Sequence, residues 1–288
     1  MKRVSFANIV ILFVFALLCI VTLYPFLYTL SYSFSDGIAV LSRPITLMPV
    51  RPTLNNYRAV FSNDNIMRAL SVSVFRTTVG LSFTVLVTGM AAYMLSKRHL
   101  PGNRLFSYFF IIPMYISGGM IATFVNIAHL GLMNNLLVYI LPYGFIAYYM
   151  LIMRTHFAAI PESLEESAEL DGAGDLVKFF RIVVPLSTPV FATIALFAGV
   201  FQWNQWFDAM VYVPNPRLQP LQLVLQKVLR QATGLADLKL LAQEIDIKIT
   251  ADAVQMATLI VAVTPVLMIY PLLQRYFVKG IMIGAVKA

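Results

Sequence analysis

The side chains best suited to binding chemistry lie in one polar, acid-rich stretch, Glu166–Pro185, which reads ESAELDGAGDLVKFFRIVVP. Two apolar runs, each long enough to cross a bilayer, flank this stretch. Charged groups need water or a polar partner to solvate them, so the stretch is not expected in hydrocarbon. The pattern predicts a segment outside the membrane whose exposed carboxylates suit a partner with basic or polar grooves.

A short helix followed by a glycine turn is predicted at the start of this stretch. Ser163 and Glu166 have the spacing of a capping box, and Pro161 could instead be the first helical residue, so the helix should begin between Pro161 and Ser163. Gly172, in the turn-forming run Asp171–Gly174, would end this helix because glycine adopts a left-handed conformation without strain.

A second short helix is predicted after the turn. Asp175 can cap its first turn, and Pro185 would end it. Its apolar face would consist of Leu176, Phe179, Phe180 and Val183. The stretch is therefore expected to form a helix, a glycine turn and a second helix.

No catalytic or nucleotide-binding motif accompanies this element. The sequence lacks the Gly-x-x-x-x-Gly-Lys-Ser/Thr phosphate loop, the His-Glu-x-x-His zinc pair and the Gly-x-Ser-x-Gly elbow. The three histidines, His99, His129 and His156, are far apart, and the single cysteine, Cys19, lies in an apolar run. We expect no catalytic residue, no metal site, no bound cofactor and no ATP hydrolysis by this chain.

Composition indicates an all-α polytopic membrane protein. The 288 residues are 59% hydrophobic and 12% charged, with a mean hydropathy of +0.79. The net charge of +8 could suggest nucleic acid, but the basic residues cluster in short loops beside apolar runs and are therefore topology signals. We expect the lipid bilayer, and not nucleic acid, as the surrounding partner.

Six transmembrane helices are predicted, with both termini in the cytoplasm. The basic loop Lys97–Arg104 is assigned to the cytoplasm by the positive-inside rule, and the uncharged run Leu105–Met153 is long enough for two spans that turn near His129–Asn135. The predicted spans are 7–34, 70–95, 105–127, 136–153, 186–202 and 253–274, with a polar inner loop at 154–185 and an outer loop at 203–252. The outer loop should contain an amphipathic helix with apolar positions Leu221, Val224, Leu225, Val228 and Leu229.

Two features of the spans point beyond simple packing against lipid. Arg76 lies within the second predicted span, where inserting an unpaired arginine into the bilayer costs about 3 kcal/mol. Its side chain should therefore reach the outer interface or face the interior of the helix bundle. A role in a translocation pathway is the alternative. The helix-loosening residues Pro113, Gly118, Gly119 and Pro142 favour spans that line a translocation path.

At the acid-rich stretch the chain resembles the membrane subunits, or permeases, of bacterial ABC importers. The family signature is Glu-Ala-Ala, three residues, Gly, nine residues and Ile-x-Leu-Pro. Here it reads Glu166-Ser167-Ala168, Gly172 and Ile182-Val183-Val184-Pro185, with Ser167 and Val184 as departures. Asp171-Gly172-Ala173 has the form of the sugar-importing branch, and Thr53–Tyr57, Trp203-Asn204 and Gln274–Gly280 extend the resemblance over nearly the whole chain.

The resemblance implies a type I ABC importer permease fold in the bacterial cytoplasmic membrane, importing a carbohydrate, in particular an oligosaccharide. It implies as partners a second, different permease, two ATP-binding cassette subunits that use ATP and Mg, and an extracytoplasmic sugar-binding protein. In the family this loop is the coupling helix that docks on the ATPase, with Glu166 as the expected docking residue. The implied ATPase-coupling residues are Glu165, Glu166, Ser167, Ala168, Asp171, Gly172, Ala173 and Pro185.

The substrate pathway and three rival functions remain open. Candidates to line the path are Tyr115, Asn126, Tyr148, Trp203 and Asn204, with ordinary packing or an aromatic interfacial belt as alternatives. An ABC permease for a non-sugar solute is disfavoured by the Asp-Gly-Ala and Trp-Asn patterns. An ion-coupled carrier is disfavoured because the predicted spans contain no acidic residue. A non-transport receptor or membrane enzyme is disfavoured because it would require the motif to be accidental and, for an enzyme, intramembrane polar pairs that the sequence does not show.

Overall fold

The computed structural model describes residues 6–43, 47–97, 99–231 and 250–285, and in these ranges the regular elements are helices, with one isolated β-bridge between Ser35 and Pro52. The all-α prediction is confirmed. Three single helices are long and apolar enough to cross a bilayer, and three bent helix pairs pass the same test when each pair counts as one span. The membrane boundaries and the side of each terminus stay predictions. Arg98, residues 232–249 of the outer loop and both chain ends lie outside the described residues.

The chain divides into two compact units, one formed by the described parts of 1–67 and 224–265 and the other by those of 68–223 and 266–288. The first unit contains α1 (Phe6–Ser33), α2 (Gly37–Ser42) and α3 (Asn55–Ser62). Asn56 on α3 is buried and donates hydrogen bonds to the carbonyls of Ser33 at 2.9 Å and Ser35 at 2.8 Å. These bonds satisfy buried carbonyls at and just beyond the end of α1, which gives Asn56 of the Thr-Leu-Asn-Asn-Tyr sequence a structural role.

The second unit begins within α4 (Asp64–Ser96), a helix of 33 residues. It continues with α5 (Asn103–Tyr115), α6 (Gly119–His129), 3₁₀ turns at Leu136–Tyr139 and Leu141–Tyr143, α7 (Ala147–Phe157), α8 (Glu162–Leu170), α9 (Asp175–Leu186), α10 (Thr188–Asn204) and α11 (Phe207–Tyr212). After a 3₁₀ turn at Pro216–Leu218 follow α12 (Leu221–Gln231) and α13 (Ala251–Ala285), which extend across the two units.

The predicted breaks and the predicted amphipathic helix within 203–252 are present. Helices α5 and α6 meet at 118°, and Gly119 at the start of α6 has φ 75°, which favours glycine. The predicted turn after His129 contains the positive-φ residues Gly131 and Asn134. The predicted apolar face of α12 is confirmed: Leu221 and Leu225 are buried, while Val224, Val228 and Leu229 are half-buried.

Two apolar clusters hold the ends of the second unit. One joins α4, α7, α9 and α10 and contains Tyr93, Met150, Met153, Phe179 and Ile194. The other joins the α6–α7 turn region to α11 and the start of α12, and it contains Ile127, Val138, Tyr139, Tyr212 and Leu223. The first cluster packs the end of α4 against α9, and the second packs the α6–α7 turn region against α11.

Candidate coupling loop and buried ion pair

Helix α8, a glycine turn and α9 form the predicted helix–turn–helix element. Gly172 has φ 82°, and its N–H donates to the carbonyl of Glu169 at 2.9 Å, while the N–H of Ala173 donates to the carbonyl of Ala168 at 2.9 Å. These two bonds form a Schellman motif, which satisfies carbonyls at the end of a helix. A side chain at Gly172 would meet no atom within 4 Å, so glycine is required here for its backbone conformation and not for space.

The predicted start of the first helix is confirmed, whereas the predicted caps of both helices are wrong. Pro161 precedes α8 and Glu162 is its first residue, with no side-chain cap hydrogen bond, so Ser163 and Glu166 do not form a capping box. Gly174 precedes α9 and Asp175 is its first residue, with no side-chain cap hydrogen bond. The Asp175 carboxylate instead lies 2.9 Å from the Lys178 ammonium.

The second helix ends one residue after the predicted position. Pro185 does not stop α9, which passes through a π-helical segment at Phe179–Val183 and ends at Leu186. The chain then bends by 87° around Ser187 into α10. A proline in the final turn is compatible with this geometry because Val184 is the first residue of the last α-helical segment and Pro185 follows it directly.

The acids of α8 share one face. Glu162, Glu165, Glu166 and Glu169 follow the i, i+3, i+4, i+7 pattern and line a pocket of about 450 Å³ together with the end of α4 and the start of α9. Sequence reasoning placed these acids toward a partner protein. The structure shows instead that part of the acidic face lies over the chain's own lysines.

Glu165 is the acid most completely engaged within the chain. Its carboxylate forms an ion pair with Lys97 and accepts a hydrogen bond from the Tyr93 hydroxyl at 2.8 Å. The Lys97 and Glu165 side chains are 21% and 12% exposed, and the Lys97 ammonium lies 4.6 Å from the centre of the Tyr93 ring. Glu165 therefore attaches α8 to the end of α4.

A second lysine joins the two helices of the loop. Lys178 lies 3.3 Å from Glu169 of α8 and 2.9 Å from Asp175 of its own helix. The hydrogen bond from Lys178 lowers the pKa of the Asp175 carboxyl, and the same bond raises the pKa of the Lys178 ammonium. Both partners of Lys178 are largely exposed, so this pair orients the loop more than it stabilises the fold.

The surface of the loop that is open to a partner is mixed. Glu166 is exposed, and among the residues that the structure describes no ion pair includes it. Leu170 is 90% exposed at the end of α8, beside the glycine turn. The remaining coupling candidates are exposed or half-buried: Ser167, Ala168, Asp171, Ala173 and Pro185. The loop therefore exposes the apolar side chain of Leu170 and the Glu166 carboxylate together, a combination that suits a protein partner.

A buried ion pair that the sequence analysis missed lies about Arg76. The Arg76 guanidinium binds both carboxylate oxygens of Asp208, at 2.7 and 3.2 Å, and the two side chains are 0% and 2% exposed. It also donates to the Gln205 carbonyl at 2.8 Å and to the Gln202 amide oxygen at 3.2 Å, and it lies 4.4 Å from the centre of the Tyr139 ring. Of the predicted positions for Arg76, the interior of the helix bundle is confirmed.

The predicted pathway residues lie on several helices. Tyr115 at the end of α5, Asn126 on α6 and Tyr148 on α7 are exposed. Trp203 is buried, and the Asn204 amide donates to the Val200 carbonyl of its own helix at 2.9 Å. Their role in a substrate path stays a prediction.

The chain is similar to known transport proteins. The family profile described as "Binding-protein-dependent transport system inner membrane component" matches residues 84–283. The polygalacturonan/rhamnogalacturonan transport system permease protein YtcP of Bacillus subtilis (strain 168) is 37% identical, over 96% of this chain and 95% of that protein. Protein LplC of the same organism is 38% identical, over 93% of this chain and 90% of that protein. A crystal structure of a bacterial ABC transporter involved in the import of the acidic polysaccharide alginate matches with a TM-score of 0.88 and 29% identity, covering 96% of this chain and 98% of that one.

Proposed function

The chain belongs to the family of binding-protein-dependent transport system inner membrane components, which are permease subunits of ABC importers, and we propose that it carries an acidic oligosaccharide across the bacterial cytoplasmic membrane. The names of two similar proteins support this cargo: YtcP is named for polygalacturonan and rhamnogalacturonan, and the structural neighbour for alginate. Galacturonate and alginate units carry a carboxylate on each acidic sugar, so the cargo would be an anionic chain.

The observation that carries the proposal is the loop formed by α8, the Gly172 turn and α9. It lies within the region matched by the family, it has the family's signature, and it exposes Leu170 and Glu166 without a covering element among the described residues. Such a loop is suited to dock on a subunit that changes shape when it binds and hydrolyses ATP. The residues proposed for docking are Glu166, Leu170 and Asp171, held in place by the Gly172 turn.

The topology follows from this assignment. We place the loop 154–185 in the cytoplasm with both chain ends, and count the three long helices and the three bent pairs as six spans. Closure of two ATP-binding cassette subunits around ATP and Mg²⁺ would displace the loop, and the permease pair would change from inward-facing to outward-facing. An extracytoplasmic binding protein would deliver the oligosaccharide to the open outer side.

Ion-coupled transport is the weaker alternative. The described part of the second unit does contain a buried carboxylate, Asp208, but both of its oxygens bind Arg76. The Asp208 side chain is 2% exposed and the guanidinium occupies both of its oxygens, so the carboxylate has no free oxygen open to water for proton exchange. The energy for transport is therefore assigned to the partner ATPase.

Affinity purification from native membranes tests the proposal. A tagged chain in mild detergent should recover a second permease, an ATPase subunit and an extracytoplasmic binding protein, each identified by mass spectrometry. The melting temperature of the recovered binding protein should rise with oligogalacturonate or oligoalginate and stay unchanged with neutral maltooligosaccharides of equal length. A rise with the neutral sugars alone would refute the acidic cargo, and recovery of the chain without an ATPase would refute the importer.

A further inference from the structure

Helix α4 connects the two polar sites of the second unit. It runs unbroken from Asp64 to Ser96, whereas three other helix pairs long enough to span are bent by 47° to 118°. Tyr93 lies at one end of α4 and Arg76 lies 17 residues earlier, which corresponds to about 26 Å along a helix axis. This length is close to the ~30 Å hydrocarbon thickness of a bilayer, so the two sites would lie on opposite sides of the membrane.

At one end, α4 is attached to both helices of the loop. Tyr93 and Lys97 bind Glu165 of α8. The Tyr93 ring also packs against Phe179 of α9, with the two ring centres 5.5 Å apart. Polar and apolar contacts therefore both join the loop to the end of this helix.

At the other end, α4 is attached to the outer end of α10 and to α11. Arg76 binds the Gln202 side chain, the Gln205 carbonyl and the Asp208 carboxylate, which lie in three successive segments of the chain. The covalent route from α9 to these residues passes through the 87° bend at Ser187, which can absorb a displacement. The route through α4 contains no such bend.

We infer that α4 transmits the displacement of the loop across the membrane, with Glu165 as the positioning residue that attaches the loop to it and Arg76 as the residue that attaches it to 202–208. Glu165 thus acts within the chain, whereas its neighbour Glu166 acts on the partner. The inference rests on the proposed function, because the displacement comes from the ATPase.

Uptake per ATP hydrolysed by the complete complex in proteoliposomes tests the inference. Glu165→Gln and Lys97→Gln should assemble and hydrolyse ATP within about twofold of the parent, while uptake per ATP falls about tenfold, in the range of typical coupling energies. The reversed pair Lys97→Glu/Glu165→Lys should recover most of the loss because it restores the ion pair. Glu162→Gln is the matched control and should behave as the parent. It removes a carboxylate from the same pocket, and among the described residues no ion pair includes Glu162.

Each contrary result has a defined meaning. The inference would be overturned if Glu165→Gln took up as much substrate per ATP as the parent. It would also be overturned if that variant lost the ATPase subunit, because Glu165 would then belong to the docking interface. Failure of the reversed pair to recover would also overturn it. A parent complex that takes up no acidic oligosaccharide would refute the proposed function instead, and that result is read from the unmutated protein.

A distance measurement tests the same inference without transport. Spin labels at Ser163 of α8 and Met210 of α11, both exposed, can be placed in a Cys19→Ser background that has no other cysteine. If α4 holds the two ends together, the distance between the labels in the complex should change by no more than about 2 Å when ATP binds, the scale of a small helix shift. It should change by more than that in Glu165→Gln. A large ATP-dependent change in the parent would overturn the inference.

Discussion

Replacing Asp208 with asparagine should destabilise the protein strongly, because it leaves a buried guanidinium without its counter-ion. The Arg76 side chain is 0% exposed, and arginine cannot lose its charge by deprotonation in a protein. Asparagine keeps the size of the side chain but provides a single neutral acceptor in place of two anionic oxygens. Removal of one member of a buried pair costs about 3–5 kcal/mol, and solvent screening does not reduce this value at a site without water access.

The free energy of unfolding in detergent, followed by tryptophan fluorescence or helicity during denaturant titration, measures this loss. Asp208→Asn should lower it by about 4 kcal/mol, whereas Asp171→Asn, an exposed carboxylate in the loop, should change it by less than about 0.5 kcal/mol. The double variant Arg76→Met/Asp208→Leu removes both charges and should recover part of the stability, because apolar residues of similar volume replace a buried pair at little cost. The recovery should be incomplete, because the Gln202 and Gln205 oxygens lose the donor that Arg76 provides.

A small effect would refute this reasoning. If Asp208→Asn lost less than about 1 kcal/mol, the Arg76 guanidinium would have to be solvated, and the geometry of the pair would not describe the protein in solution. If the double variant were as unstable as the single variant, the loss would come from the contacts of Arg76 with Tyr139, Gln202 and Gln205 and not from an unpaired charge.

Two further predictions concern single positions. Gly80→Ala should lower the free energy of unfolding by about 1–3 kcal/mol, because its Cβ would lie 2.8 Å from the Gln202 amide nitrogen. In the control variant Gly174→Ala the new Cβ meets no atom within 4 Å, and the free energy of unfolding should change by less than about 0.5 kcal/mol. Thermal unfolding of both variants measures the difference, and equal losses would contradict the prediction. Leu170→Asp should leave the melting temperature of the protein unchanged, because the Leu170 side chain is 90% exposed. The same variant should retain the ATPase subunit on affinity beads at least tenfold more weakly. Unchanged retention would exclude Leu170 from the docking surface.

The local shape of the loop was predictable because it follows from backbone chemistry. Gly172 and its neighbours allow few structures other than a turn, and the structure has the left-handed φ that this argument requires. The cap at Asp175 was mispredicted because the same carboxylate can cap a backbone or bind a lysine. In Asp175 the ion pair with Lys178 takes precedence, and this choice depends on how α8 and α9 pack.

The direction of the acidic face and the partner of Arg76 could not be predicted in the same way. Helical periodicity shows that Glu162, Glu165, Glu166 and Glu169 share a face, but not that this face turns to Lys97. A signal for a polar partner did exist, since an arginine inside an apolar span needs a carboxylate or other oxygen acceptor. Asp208 lies 132 residues away, however, and nothing in the sequence distinguishes it from other acids.

ATP-driven uptake of a labelled acidic oligosaccharide by the reconstituted complex tests the central claim most directly. The parent complex should accumulate oligogalacturonate or oligoalginate only with ATP and the binding protein. Glu166→Lys, which reverses an exposed carboxylate of the loop, and Gly172→Val, which forces a β-branched side chain to φ 82°, should both insert and lose uptake by at least tenfold. Undiminished uptake by both variants would contradict the assignment of α8 and its glycine turn as the coupling element.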